Sequence, residues 1–202
     1  MRVGVIADVH GNLVALEAVL ADLERVGVDR LVCVGDVAAL GPQPRAVVRR
    51  LREQEVPCVQ GNTDAWNIDL ALLERESDTS AVQNMVRWCT AQLAADDLDW
   101  LGTFPLTRQI PLGNDESLVM FHGSPRSNNA VLSATTPGEE LDKLFAEYDA
   151  TLFAGGHTHI QLLRRHGNLR LLNPGSVGLP GTGPGTPRLP VNERVCWAEF
   201  AV

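Results

Sequence analysis

Apolar residues follow two rhythms along the chain, one of strands and one of helices. Val3 to Ala7 is a run of small and β-branched residues, as in a buried strand, and it stops at Asp8. Leu13, Leu16, Leu20 and Leu23 then recur at helical spacing along one face, with Asn12 placed to cap that helix. Arg30 to Val34 repeats the strand rhythm and ends at Gly35-Asp36. Pro42 and Pro44 open a second helix running through Leu51, since a proline at a helix start gives up only an N–H that has no partner there. Pro57 to Gln60 reads as a third strand, ending at Gly61-Asn62. This alternation of strand and helix predicts a parallel sheet for the first part of the chain.

Farther on the pattern changes. Residues 64 to 102 read as mainly helical, with Trp66, Trp88 and Trp100 as packing anchors. Arg108 to Leu112 and Ser117 to Phe121 flank Gly113-Asn114-Asp115, which suits an antiparallel hairpin. Pro137 to Tyr148 predicts a helix, and Thr151 to Ala154 a strand stopping at Gly155-Gly156. Gln161 to Arg165 and Leu169 to Leu172 flank a second hairpin turn, His166-Gly167-Asn168, and Val195 to Val202 supplies a last strand. A mixed α/β sandwich of two sheets covered by helices fits this order better than one doubly wound sheet.

Composition narrows the picture. The chain has 202 residues, 45% of them hydrophobic, which suffices for one well-buried core. No linker or repeat divides it, so one domain spanning residues 1–202 is expected. No apolar stretch is long enough for a signal peptide or a membrane span. Cys33, Cys58, Cys89 and Cys196 form no C-x-x-C pair and read as free thiols, which points to a cytoplasmic setting. A formal charge of −8 argues against nonspecific nucleic-acid binding. It does not argue against phosphoester chemistry, because bound divalent cations reverse the local field.

The residues that end the strands carry the chemistry. Asp8 and His10 follow the first strand, Asp36 the second and Asn62 the third; His122 follows Phe121, and His157 and His159 follow Ala154. Loops beyond the carboxyl ends of parallel strands converge on one side of a sheet. Taken singly, each piece has a bland reading. Asp8-x-His10 alone is a turn with a capping acid, Gly61-Asn62 a left-handed turn, His122 a structural histidine and Gly156-His157-Thr158-His159 a surface turn. Together they weigh more, because four of the chain's five histidines lie at these glycine-flanked exits. His166, the fifth, sits in a charged hairpin turn.

Asp8-Val9-His10-Gly11-Asn12, Gly35-Asp36, Gly61-Asn62-Thr63-Asp64, His122-Gly123 and Gly156-His157-Thr158-His159, in this order, resemble the calcineurin-like metallophosphoesterase superfamily. Gly41-Pro42, His122-Gly123-Ser124-Pro125 and Asn173-Pro174-Gly175-Ser176-Val177-Gly178 are similar to its small single-domain bacterial and archaeal phosphodiesterases. The resemblance implies an α/β fold, a four-layer sandwich of two mixed β-sheets flanked by α-helices, with a dinuclear metal site at the strand ends. It implies that Asp8, His10, Asp36 and His159 hold one metal. Asp36 then bridges to a second, completed by Asn62, His122 and His157. Two divalent ions are expected, Mn²⁺ foremost, with Fe²⁺, Zn²⁺ or Ni²⁺ as alternatives; carboxylate, imidazole and amide oxygen suit such borderline or hard cations. Asp36 and Asn62 are the catalytic positions, and a hydroxide generated at the metals is the expected nucleophile on phosphorus.

The expected substrate is a small phosphoester, a phosphodiester before a monoester, with no membrane partner and room for a homo-oligomer. A protein phosphatase and a non-catalytic scaffold are the competing readings. Thr63 departs from the pattern, since many members carry there a histidine that protonates the leaving oxygen. Its hydroxyl bonds either the neighbouring backbone or a phosphoryl oxygen. Asp64 either fixes the Asn62 loop or caps a helix. Asn12 and Arg126 complete the expected substrate contacts; Asn12 has the plainer alternative of an N-cap, and Ser124, which stands beside Arg126 as a further candidate, that of a Ser124-Pro125 turn. The arginines of residues 45 to 52 read as a solvated helix face, with a docking surface as the lesser reading. Asn173 to Gly178 and the Gly/Pro-rich stretch from Gly178 to Pro190 are expected as loops near the site.

Overall fold

The computed structural model describes residues 1–77, 79–180 and, as backbone, 197–201. Two strands and two helices alternate first: β1 (Arg2–Ile6), α1 (Leu13–Val26), β2 (Arg30–Cys33) and α2 (Pro44–Glu53). Four helices follow, α3 (Asn62–Ile68), α4 (Leu70–Glu76), α5 (Ser80–Gln92) and α6 (Ala95–Gly102). The rest comprises β3 (Thr107–Gly113), β4 (Glu116–Phe121), α7 (Gly138–Phe145), β5 (Leu152–Ala154), β6 (Leu162–His166), β7 (Leu169–Asn173) and β8 (Trp197–Ala201).

Both sheets are mixed. The smaller has the order β2-β1-β8, with β1 parallel to β2 and antiparallel to β8. The larger runs β3-β4-β5-β7-β6, its β4, β5 and β7 parallel and its two hairpins antiparallel. Strand alternation sorts the core into layers. Val3, Val5, Ala7 and Val32 pack against Ile110, Leu118, Met120, Leu152 and Leu172 from the other sheet. On the outer side of the small sheet, Ile6 and Cys33 meet Leu16, Leu20 and Leu23 of α1 and Val47, Val48 and Leu51 of α2. On the outer side of the large sheet, Val119, Phe121, Phe153 and Leu171 meet Leu141 and Phe145 of α7. The result is a four-layer sandwich, helix on sheet on sheet on helix.

Several expectations change. Pro57–Gln60 forms no strand; Cys58 makes one parallel bridge with Cys33. Pro57 offers only its carbonyl, which Cys33 N–H reaches at 3.0 Å, and the Gln60 N–H turns away to Pro105 O at 2.9 Å. Trp66 is buried in a small cluster with Leu73 and Val86, and Trp100 stacks edge-on with Phe104, but Trp88 is 50% exposed. Val86 and Cys89 define the inward face of α5, which turns Trp88 outward. The arginines of α2 are largely engaged: Arg45 with Asp97, Arg50 with Glu17 and Arg52 with Asp96. Cys33, Cys58 and Cys89 are free thiols. Cys196 and most of the Gly/Pro-rich stretch lie outside the described residues, as do the first two and the last residue of the segment read as the final strand. No helix among the described residues is long and apolar enough to cross a membrane.

Candidate metal centre

Within each sheet the paired strands run the same way, β1 with β2 and β4 with β5. The contacts of Asp8 after β1 with His122 after β4 and His157 after β5 put all four exits at one end of the sandwich. The exits are sewn together by main-chain bonds. Asp8 N–H donates to Gly35 O, His10 N–H to Asp36 O, Gly156 N–H to His122 O and Gly178 N–H to Asp8 O, all within 3.0 Å. The ligand candidates themselves take the unfavourable backbone: Asp8, His10, Asp36, His157 and His159 have φ of 55, 47, 58, 69 and 57°. Non-glycine residues held in this left-handed region are a mark of functional sites, since the surrounding structure must offset the strain. Glycine is required where the loops touch. A Cβ on Gly61 would strike the Asp36 carboxylate, and one on Gly35 would come within 2.8 Å of His122 Nδ1.

The structure brings together Asp8, His10, Asp36, Asn62, His122, His157 and His159. Asp8, His10 and His159 offer ligand atoms within 4.8 Å of one another, and so do Asp8, Asp36 and His122. Asn62 Oδ1 lies 3.2 Å from His122 Nε2 and 3.1 Å from His157 Nδ1. Oδ2 of Asp36 sits 3.6 Å from His10 Nε2 and 3.5 Å from His122 Nε2. Three imidazoles are aimed by backbone carbonyls that accept their Nδ1–H: Ala39 O for His10, Val34 O for His122 and Leu179 O for His159. A carbonyl can only accept, so Nδ1 must carry the proton and Nε2 is left to face the cluster. His157 is turned the other way and presents Nδ1.

The electrostatics favour a cation. Asp8 and Asp36 are buried, and among the described residues no lysine or arginine pairs with either. Oδ2 of Asp8 has no hydrogen-bond partner among the described residues. Buried carboxylates are ordinarily paired or bound to metal. Burial works against a charge on His122, but Asp36 and Asp8 raise its pKa to about 10. Burial would raise Asp36 too, yet the charge and hydrogen bond of His122, with His10, hold it low. Burial lowers His10 and, with repulsion from His122, His157. His159 is raised against its burial by Asp8. An acid-and-imidazole set with an orphaned carboxylate oxygen fits a divalent ion.

The remaining expected site residues divide. Thr63 is 2% exposed and is the second residue of α3; among the described residues its hydroxyl has no partner, so it does not bond the neighbouring backbone. Gly61, with φ −81°, makes no left-handed turn but leads Asn62 directly into that helix. Asn12 caps α1 by accepting from Ala15 N–H at 3.1 Å, and its amide donates to Gly178 O. Arg126 is not drawn into the cluster. Its guanidinium donates to Lys143 O and lies 3.6 Å from Glu147, while Ser124 shapes the turn through Ser127. Asn128, not singled out in the sequence, donates to Gly61 O at 3.3 Å beside the cluster; no motif marks it.

The calcineurin-like phosphoesterase superfamily domain matches residues 1–189. The chain belongs to that superfamily. It is 27% identical to phosphodiesterase YfcE of Escherichia coli over 195 residues, covering 91% of this chain and 83% of that protein. It is 28% identical to an uncharacterized protein of Methanocaldococcus jannaschii, covering 90% and 78%. The crystal structure of a metallophosphoesterase from Sphaerobacter thermophilus matches with a TM-score of 0.69 at 30% identity, over 91% of this chain and 80% of that one. This calcineurin-like protein is thus a member of a metal-dependent phosphoesterase family, with Asp and His groups able to bind metal.

Proposed function

We propose that the protein is a dinuclear-metal hydrolase of phosphodiesters. The observation that carries this is the position of Asp36 Oδ2, almost equally far, 3.6 and 3.5 Å, from an imidazole of each ligand set. In this reading Asp8, His10, Asp36 and His159 hold one ion, and Asp36, Asn62, His122 and His157 the other. The bound ions would supply positive charge to the phosphoryl oxygens and would lower the pKa of a water enough for it to release a proton to solvent and serve as the nucleophile on phosphorus.

The chain's own part is to orient. Ala39, Val34 and Leu179 carbonyls fix three imidazole tautomers, and Thr63 N–H holds Asp36 Oδ1 at 2.9 Å while Oδ2 faces His10 and His122. Charge supports a diester. Two dications over two carboxylates leave two positive charges in excess, which a monoanionic diester and one anionic nucleophile neutralise. A monoester dianion would overshoot, and among the described residues no lysine or arginine pairs with the seven ligands to compensate. Thr63 and Asn12 are the proposed substrate contacts. Arg126 would have to leave Glu147 to serve as a third.

Manganese-reconstituted protein, assayed with bis(p-nitrophenyl) phosphate, p-nitrophenyl phosphate and a phosphopeptide, tests the reading. Diester hydrolysis abolished by chelators and restored by Mn²⁺, with about two ions per chain by elemental analysis, is expected. Preference for the phosphopeptide would make it a protein phosphatase, and metal-independent inactivity toward all three would make it a scaffold.

A further inference from the structure

Asp64 has no exposed surface, and its carboxylate is spent entirely on main chain. Oδ2 accepts the amide N–H of Asp36 at 2.8 Å and that of Gly61 at 3.0 Å, while Oδ1 accepts that of Val37 at 2.8 Å. Capping α3 accounts for the Gly61 bond alone, because Asp64 stands at the third position of that helix. The other two bonds cross to residues 28 and 27 positions earlier, in the turn after β2. There Asp36 is held at φ 58° directly after Gly35 at φ 96°, a turn whose amides have no strand partner to satisfy them. The bond is returned from the other side, since Thr63 N–H donates to Asp36 Oδ1 at 2.9 Å. Two buried carboxylates thus clasp each other's loops.

We propose that Asp64 is a positioning residue for the metal centre: it sets the left-handed turn that aims Asp36 and locks it to the helix start that carries Asn62. The inference rests on the metal reading of Asp36 and Asn62. An asparagine at 64 keeps the shape but would turn an NH₂ toward at least one of the three amides, so the turn must reopen. Residues that orient metal ligands typically change metal affinity or activity by about 10- to 100-fold when replaced. Asp97 provides the contrast. It is equally buried and caps α6 by accepting from Ala94 N–H, but it pairs with Arg45 instead of any ligand loop.

Three measurements decide it. Isothermal titration with Mn²⁺ on folded Asp64→Asn should show affinity weakened at least about tenfold, and kcat lowered at saturating metal, whereas Asp97→Asn should keep both and lose only thermal stability. In the wild-type protein kept metal-free, the amides of Asp36, Val37 and Gly61 should exchange with deuterium as slowly as those of β1. Equal Mn²⁺ affinity and kcat in Asp64→Asn and wild type overturns the proposal, as does rapid exchange at those three amides, which also serves if Asp64→Asn does not fold. Failure of the wild-type protein to bind Mn²⁺ would instead overturn the metal reading itself.

Discussion

The main-chain N–H of Thr63 donates to Oδ1 of Asp36 at 2.9 Å, so this pair is joined by backbone and the Thr63 side chain takes no part in it. Substitution at 63 therefore tests the hydroxyl alone. That hydroxyl is buried with no hydrogen bond to any of the described residues, an arrangement that costs about 1–3 kcal/mol.

Thr63→Val should leave the unfolding midpoint unchanged or raise it, because it removes an unsatisfied polar atom and keeps the shape. If the hydroxyl meets a phosphoryl oxygen, kcat/KM for a diester falls about tenfold in the same variant, the cost of one lost hydrogen bond. Unchanged kcat/KM would show that the hydroxyl touches no substrate. A leaving-group series extends the test. With no imidazole at 63, rates should depend steeply on leaving-group pKa, and Thr63→His should flatten that dependence, since a positioned acid typically contributes about 10²- to 10⁴-fold for poor leaving groups. Alkyl diesters cleaved as fast as nitrophenyl diesters by the natural protein would reveal another acid.

Asp36→Asn should lower metal affinity and turnover by more than about 100-fold, above the range for residues that merely support a ligand. Asp29→Asn, which alters a surface carboxylate bonded to Arg2 N–H, should change neither. Metal titration and steady-state assays on both variants read this out. Near-normal turnover in Asp36→Asn would remove Asp36 from the bridging position.

The metal-free protein should lose stability as pH rises from about 6.5 to 10. His122, raised from 6.5 to about 10 by Asp36 and Asp8 against its burial, stabilises the fold fully below 6.5, and that contribution fades as the proton leaves. Asp36, held low by His122, acts at the other end: its contribution is present above 3.8 and is lost as pH falls further. Metal displaces the His122 proton, so metal affinity should climb with pH by up to about tenfold per unit. Thermal melts in chelator and in Mn²⁺ across this range check both statements; a flat chelator profile between 6.5 and 10 would contradict the first.

Trp66→Ala should destabilise the protein by about 3–5 kcal/mol, because Trp66 is 8% exposed and its indole N–H donates to Glu76. Trp88→Ala, at a half-exposed site, should stay within about 0.5 kcal/mol. Chemical denaturation of both variants distinguishes the two tryptophans.

The sequence by itself determined the elements whose signals are local. The run Val3–Ala7, the leucine stripe of α1, Pro44 at the start of α2 and the turns at Asn114-Asp115 and Gly167-Asn168 each carry their own instruction in neighbouring residues, and the structure follows them. So does the placing of Asp8, Asp36, His122, His157 and His159 just beyond strand-like segments. Other features depended on packing between distant segments. Whether Pro57–Gln60 becomes a strand was decided by where the Gln60 N–H found a partner, and Trp88 was turned outward by the choice of Val86 and Cys89 as the buried face of α5. Arg126 follows the motif at His122 closely in sequence, yet the nearness of α7 and Glu147 draws its guanidinium elsewhere. The left-handed backbone at five ligand candidates was hidden for the same reason. Local preference disfavours that conformation for aspartate and histidine, and only bonds made across the fold, such as those of Asp64 to Asp36 and Val37, supply the energy to hold it.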